Sequence, residues 1–158
     1  FGLRGGLDSS VVEAIARTRV WVSPTVNAGW RRFLTGAEGS QLETGKRMRN
    51  CFRALRAAGV KLVASTDAGI PNVEHHRLPA ALAVFAELAE LQPVEVVRAA
   101  TSDAARAFRL EDRTGRLVPG LEADVLVVDG DPLVDLTALE RPRLVVARGR
   151  LFEPEEPA

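Results

Sequence analysis

Two short apolar runs limit what this chain can fold into. Each follows a helical segment and is left by a loop of turn residues. The first is Val20-Trp21-Val22, stopped by Ser23-Pro24. The second is VKLVA at 60–64, with four apolar residues of five, followed by the loop STDAGIP at 65–71. Continuous apolar strands alternating with helices imply parallel strands covered on both faces. Two such strands with their helices do not complete an α/β layer, so the pattern reads as part of a larger one.

The helices carry their own signals. Asp8 suits an N-cap for a helix over 9–18, where Val11, Val12 and Ile15 share a face and Arg17 and Arg19 suit the C-terminal end. Residues 27–45 are glycine-rich and read as a loop or broken helix. Met48, Cys51, Phe52 and Leu55 follow the i, i+3, i+4, i+7 rule of a helix over 46–58, ended by Gly59. A long apolar helix is expected over 78–91. Pro93 opens another, at a position where its missing N–H costs nothing, and Thr101 suits the cap of a third.

The character changes near Asp112. Short apolar runs at 116–118, 125–129, 144–147 and 150–152 alternate with Pro119-Gly120, Gly130-Asp131-Pro132 and Arg148-Gly149. That is a small β unit, antiparallel at its end because Arg148-Gly149 is too short for a crossover. The expected division is 1–112 for the strand–helix part and 113–158 for the β part. The tail EPEEPA at 153–158 should be mobile.

Composition excludes several classes. The chain has 158 residues, 46% of them hydrophobic and 27% charged, so it can bury a core. Lys+Arg and Asp+Glu are both 21, which removes the global electrostatic argument for nucleic acid or an anionic membrane. One cysteine allows no internal disulfide and makes the cytoplasm the default compartment. No apolar run approaches a membrane span and no signal peptide is visible. Residue 1 is Phe, so a processed or incomplete chain is expected.

Asp67 is the most informative position. It follows an apolar strand and opens a Gly/Pro loop, and ligands of parallel α/β folds bind at such strand ends. A carboxylate there can ligate a metal or act as a general base; it can equally make an Asx-turn to its own loop. His75 and His76 follow in the same loop region. Adjacent histidines diverge by about 100° on a helix and oppose each other on a strand. One of them facing the Asp67 loop is compatible with that geometry; two solvated loop histidines are the alternative. A catalytic zinc takes three protein ligands. Asp67, one histidine and Cys51, which sits at a core position, do not make that set. Ser23-Pro24-Thr25 is a second strand-end loop that could line the same mouth. Arg31-Arg32 and Lys46-Arg47 read as solvated faces. Phosphate-loop, dinucleotide, nucleophile-elbow and C-x-x-C motifs are absent from the sequence.

Several segments together resemble the amidohydrolase superfamily, especially its imidazolonepropionase-like and prolidase-like members. VKLVASTDAG at 60–69 is similar to the last barrel strand, and VWVSPT at 20–25 to the strand before it. PVEVVRAATSDAARA at 93–107 looks like the family's helix pair. GRLVPGLEADVLVVDGDPLVD at 115–135 resembles its turn-and-strand stretch, and 145–151 its final strand pair. Ser65 stands where a glycine is common.

The resemblance implies an α/β fold: the last strands and helices of a (β/α)8 barrel over 1–112, and the C-terminal strands of a composite β-sandwich over 113–158. It implies a metal-dependent hydrolase of an amide or cyclic amide C–N bond, with one or two divalent ions, usually zinc. Asp67 would be metal ligand and base; His75 or His76 would face a small-molecule substrate. Asp124 would be structural. The family's H-x-H pair, bridging lysine and two further histidines have no counterpart here, so the missing N-terminal barrel segment would supply them and the isolated chain would be inactive. A homo-oligomer is compatible with this. The alternatives are a non-catalytic remnant or assembly module that pairs with a partner chain, or a deaminase, lactonase or phosphotriesterase of the same fold.

Overall fold

A computed structural model describes residues 7–35 and 39–153. The tail at 154–158 lies outside them. The described chain is mixed α/β and divides into two compact units, Phe1–Gln92 and Pro93–Ala158. The change in sequence character lies near Asp112 instead. The two lines mark different things: helices 93–107 read as a continuation of the helical half, yet they pack within the second unit.

In the first unit, helix α1 spans Ser9–Thr18. The Asp8 carboxylate accepts the Ser10 N–H at 2.8 Å, a bond that holds its acid below the usual range. Arg19 closes the helix in the left-handed region, φ 54°. Strand β1 (Trp21–Val22) pairs in parallel with β2 (Lys61–Leu62), Trp21 opposite Lys61 and Val22 opposite Leu62. One more bond, from the Val63 N–H to the Val22 carbonyl at 3.0 Å, extends the ladder. Both strands are shorter than the apolar runs that signal them.

Between the strands, a 3₁₀ turn at Ala28–Arg31 leads into α2 (Arg32–Thr35), and α3 runs over Ser40–Ala57. Helix α3 starts six residues earlier than the periodicity places it. Gly45 reads as a loop signal but serves packing: a Cβ there would lie 2.0 Å from the Phe33 carbonyl oxygen. Two helical backbones approach at a point where only hydrogen fits. Helix α4 (Leu78–Ala89) packs on α3. Phe85 meets Phe52 edge-on with centroids 6.0 Å apart, and Leu55, Val84 and Leu88 are fully buried around them. Each such side chain contributes roughly 1.5–3 kcal/mol by leaving water.

Three arginines on one face of α3 fasten the end of α4. Arg49 pairs with Glu87 at 2.9 Å, Arg53 with Glu90, and Arg56 donates to the carbonyls of Ala89 and Glu90 at 2.9 and 2.7 Å. Spacing of four and three residues puts all three on one stripe. Their charge suits the carbonyl end of α4, and the Arg53 hydrogen bond holds the Glu90 acid below its usual range.

In the second unit, α5 (Pro93–Ala100) and α6 (Ser102–Ala107) precede a sheet of β3 (Val125–Val128), β4 (Pro142–Ala147) and β5 (Arg150–Phe152). The order is β3-β4-β5, antiparallel throughout. The run at 116–118 forms no strand. Gly115, at φ 90°, folds the chain back onto α6, where a Cβ would lie 2.6 Å from that of Ala105. Thr101 does not cap α6 with its side chain; its hydroxyl donates to the Val97 carbonyl at 2.6 Å. Asp135 caps a 3₁₀ turn, Leu136–Glu140, that the sequence reading did not place. Val96, Ala99, Ala105, Leu136 and Ala138 form the small core. An open groove of about 890 Å³ lies between α6 and β3, walled by Phe108, Leu117, Val125 and Leu126. Among the described residues, no helix is long and apolar enough to cross a membrane.

Candidate functional site

The ends of β1 and β2 bring two loops together. The Ser65 hydroxyl accepts the Thr25 N–H at 2.9 Å and the Ser23 hydroxyl at 2.7 Å, across 40 and 42 positions of sequence. The parallel register requires this neighbourhood: with Val22 opposite Leu62, residues 23–25 and 63–65 leave the same end of the sheet. The 23–25 loop therefore lies beside the Asp67 loop, as its place after a strand suggests.

Asp67 is exposed, two residues beyond Ser65. Its backbone is left-handed, φ 61°, and Thr25 across the strand ends is also left-handed, φ 52°. Aspartate enters this region several-fold more readily than most residues, whereas a β-branched threonine there is an outlier. Past Asp67 the loop closes on itself. The Gly69 N–H donates to the Val73 carbonyl at 2.9 Å, and the Val73 N–H to the Ile70 carbonyl at 3.1 Å.

The two histidines separate. Both lie in a 3₁₀ turn, His75–Arg77, that leads into α4. The His75 ring approaches the Asp67 loop: its Cε1 lies 3.8 Å from the place a Cβ would take on Gly69. The His76 ring stands 77% exposed, with Nε2 3.6 Å from the Glu74 carboxylate. Both residues are exposed, but successive residues in a tight turn diverge, so the His75 ring lies toward Gly69 of the strand-end loop and the His76 ring toward Glu74.

The donor set is small. Among the described residues, no three His, Cys, Asp or Glu side chains gather closely enough to hold a metal ion. Cys51 is half-buried on α3. One carboxylate and one nearby imidazole fall short of the three protein ligands of a catalytic zinc, so the residues present do not fit a metal centre by themselves. The linking role of Ser65 is a feature the sequence reading missed. Its signal was a hydroxyl where glycine is common.

An imidazolonepropionase from Chloroflexus aggregans is 34% identical over 79 residues, which are 50% of this chain and 18% of that protein. The structure of a protein assigned as a prolidase, from Bifidobacterium longum, superposes with a TM-score of 0.77 at 29% identity, covering 97% of this chain and 41% of the other. A Xaa-Pro dipeptidase with bound methionine shares the fold, with a TM-score of 0.76 at 23% identity over 94% of this chain and 38% of the other. The chain thus spans less than half the length of the proteins it matches. The sequence profile of the amidohydrolase family matches residues 3–152, a stretch that takes in both strand-end loops, the histidine turn and the β unit. On that match, this chain belongs to the amidohydrolase family.

Proposed function

We propose that this chain is the C-terminal portion of a hydrolase that cleaves the C–N bond of an amide or cyclic amide. In this reading Asp67 is its catalytic carboxylate and His75 the imidazole that faces substrate. Residues 1–112 are the last strand–helix units of a (β/α)8 barrel, and 113–158 the C-terminal strands of a small β domain. The observation that carries the reading is the position of Asp67. It stands exposed in a left-handed turn, at the shared C-terminal end of two parallel strands, where open α/β folds put their ligands.

A carboxylate there can accept a proton from an attacking water. The amidohydrolase family is generally metal-dependent. This chain brings one carboxylate and one nearby imidazole, so a divalent ion, zinc included, would take its other ligands from residues outside these 158. The imidazolonepropionase and prolidase likenesses suggest two probes, imidazolonepropionate and an Xaa-Pro dipeptide such as Ala-Pro.

The test is turnover of both probes by the full-length protein and by its D67N variant. The expected result is hydrolysis of one probe and a loss of at least a hundredfold in kcat in D67N, with an unchanged circular dichroism spectrum. Near-normal turnover by D67N overturns the assignment.

A further inference from the structure

We propose that Ser65 is a positioning residue that couples the two strand-end loops and thereby sets the placement of Asp67. The inference rests on the functional reading of Asp67 given above. A serine hydroxyl has two acceptor positions. Here both are taken by the opposite loop, one by the Thr25 N–H and one by the Ser23 hydroxyl. A single oxygen therefore ties the loop after β1 to the loop after β2.

The backbone shows what that tie restrains. Thr25 and Asp67 are both left-handed, at φ 52° and 61°. Such residues persist where their surroundings over-determine them, and they cluster at functional sites. Thr25 is held by its N–H bond to Ser65 and by Val26 next to it, which is 1% exposed. Asp67 is bracketed. Two residues before it, Ser65 is fixed to the 23–25 loop; two residues after it, Gly69 is fixed to Val73. Without the hydroxyl, the downstream anchor remains and the upstream one is lost. Glycine at 65 removes that tie and leaves the two loops joined only at their roots, by the β1–β2 ladder and the Val63–Val22 bond. A reacting group misplaced by about 1 Å can lose on the order of a hundredfold in rate.

The test uses the full-length protein and the variants S65A, S65G and S65T. Thr25 amide exchange reads the tie, the Asp67 carboxyl carbon resonance reads the placement, and kinetics on the turned-over probe read the consequence. In S65A and S65G, Thr25 exchange should quicken at least tenfold and the Asp67 resonance should shift. Their kcat should fall tenfold or more with KM within twofold of the parent. S65T keeps the hydroxyl and should restore all three. The proposal is overturned if S65A leaves Thr25 exchange and the Asp67 resonance unchanged. It is equally overturned if S65T recovers no better than S65A, or if S65A keeps full kcat in a protein that D67N inactivates. Full activity of D67N overturns the functional reading instead, and the Thr25 and Asp67 signals then decide alone whether Ser65 couples the loops.

Discussion

Asp124 accepts the backbone N–H of Arg148 at 2.9 Å on one carboxylate oxygen, across 24 positions of sequence. Its other oxygen accepts the Thr114 hydroxyl at 2.7 Å, and the Gly149 N–H donates to the neighbouring Ala123 carbonyl at 3.0 Å. One acid thus fastens the loop after α6 to the β4–β5 turn. The Arg148 backbone bond, and then the Thr114 bond, hold the Asp124 carboxyl below the ordinary aspartate range. A depressed folded pKa gives stability that is present above the unfolded value, about pH 4, and lost as pH falls through the lower folded value. D124N should therefore lower the melting temperature at pH 7. The gap between variant and parent should narrow below about pH 4, as the parent's carboxyl takes up a proton and becomes neutral like the variant's amide. Thermal melts of both proteins across pH 2–7 check this, and a gap independent of pH would contradict it.

Gly45 offers a test in which two effects oppose each other. Alanine in a helix interior is favoured over glycine by about 0.8–1 kcal/mol. At this position the added Cβ would stand 2.0 Å from the Phe33 carbonyl oxygen, a backbone atom that cannot swing away. Overpacking costs about 1–3 kcal/mol, and a clash with backbone belongs at the upper end. G45A should destabilise the protein by about 2 kcal/mol in denaturant titrations. A stabilised variant would mean that α2 does not lean on α3 at this point.

That same glycine shows how far the sequence was legible. Asp8, Met48, Phe52 and Leu55 carried α1 and most of α3, because capping and periodicity are local signals. Gly45 misled, because its meaning lies in a neighbour, Phe33, that sequence spacing does not reveal. The run at 116–118 shows the reverse: apolar and flanked by turns, it pairs with no strand, because Gly115 turns it along α6. At the candidate site, a carboxylate after an apolar strand was visible as a pattern. The split between His75 and His76 depends on the direction of a 3₁₀ turn. The Ser65 tie depends on parallel register. Neither is written in residue order.

The two histidines make a paired prediction. His75 abuts the Asp67 loop through Gly69, whereas His76 faces Glu74 and solvent. In the full-length protein, H75A should lower kcat/KM tenfold or more, the loss of about 1.4 kcal/mol expected when one hydrogen bond to a reacting ligand is removed. H76A should stay within twofold of the parent. Steady-state kinetics on the turned-over probe separate them, and equal losses would remove the distinction.

No residue of β3, β4 or β5 is fully buried. Their ladder bonds stand with little apolar weight behind them, while the α3–α4 pair carries Phe52, Leu55, Val84, Phe85 and Leu88. Segments of that kind open locally, well below the free energy of global unfolding. The amides of the three-stranded ribbon then report on breathing rather than on melting. Limited proteolysis should therefore cut within the ribbon before it cuts the helical pair.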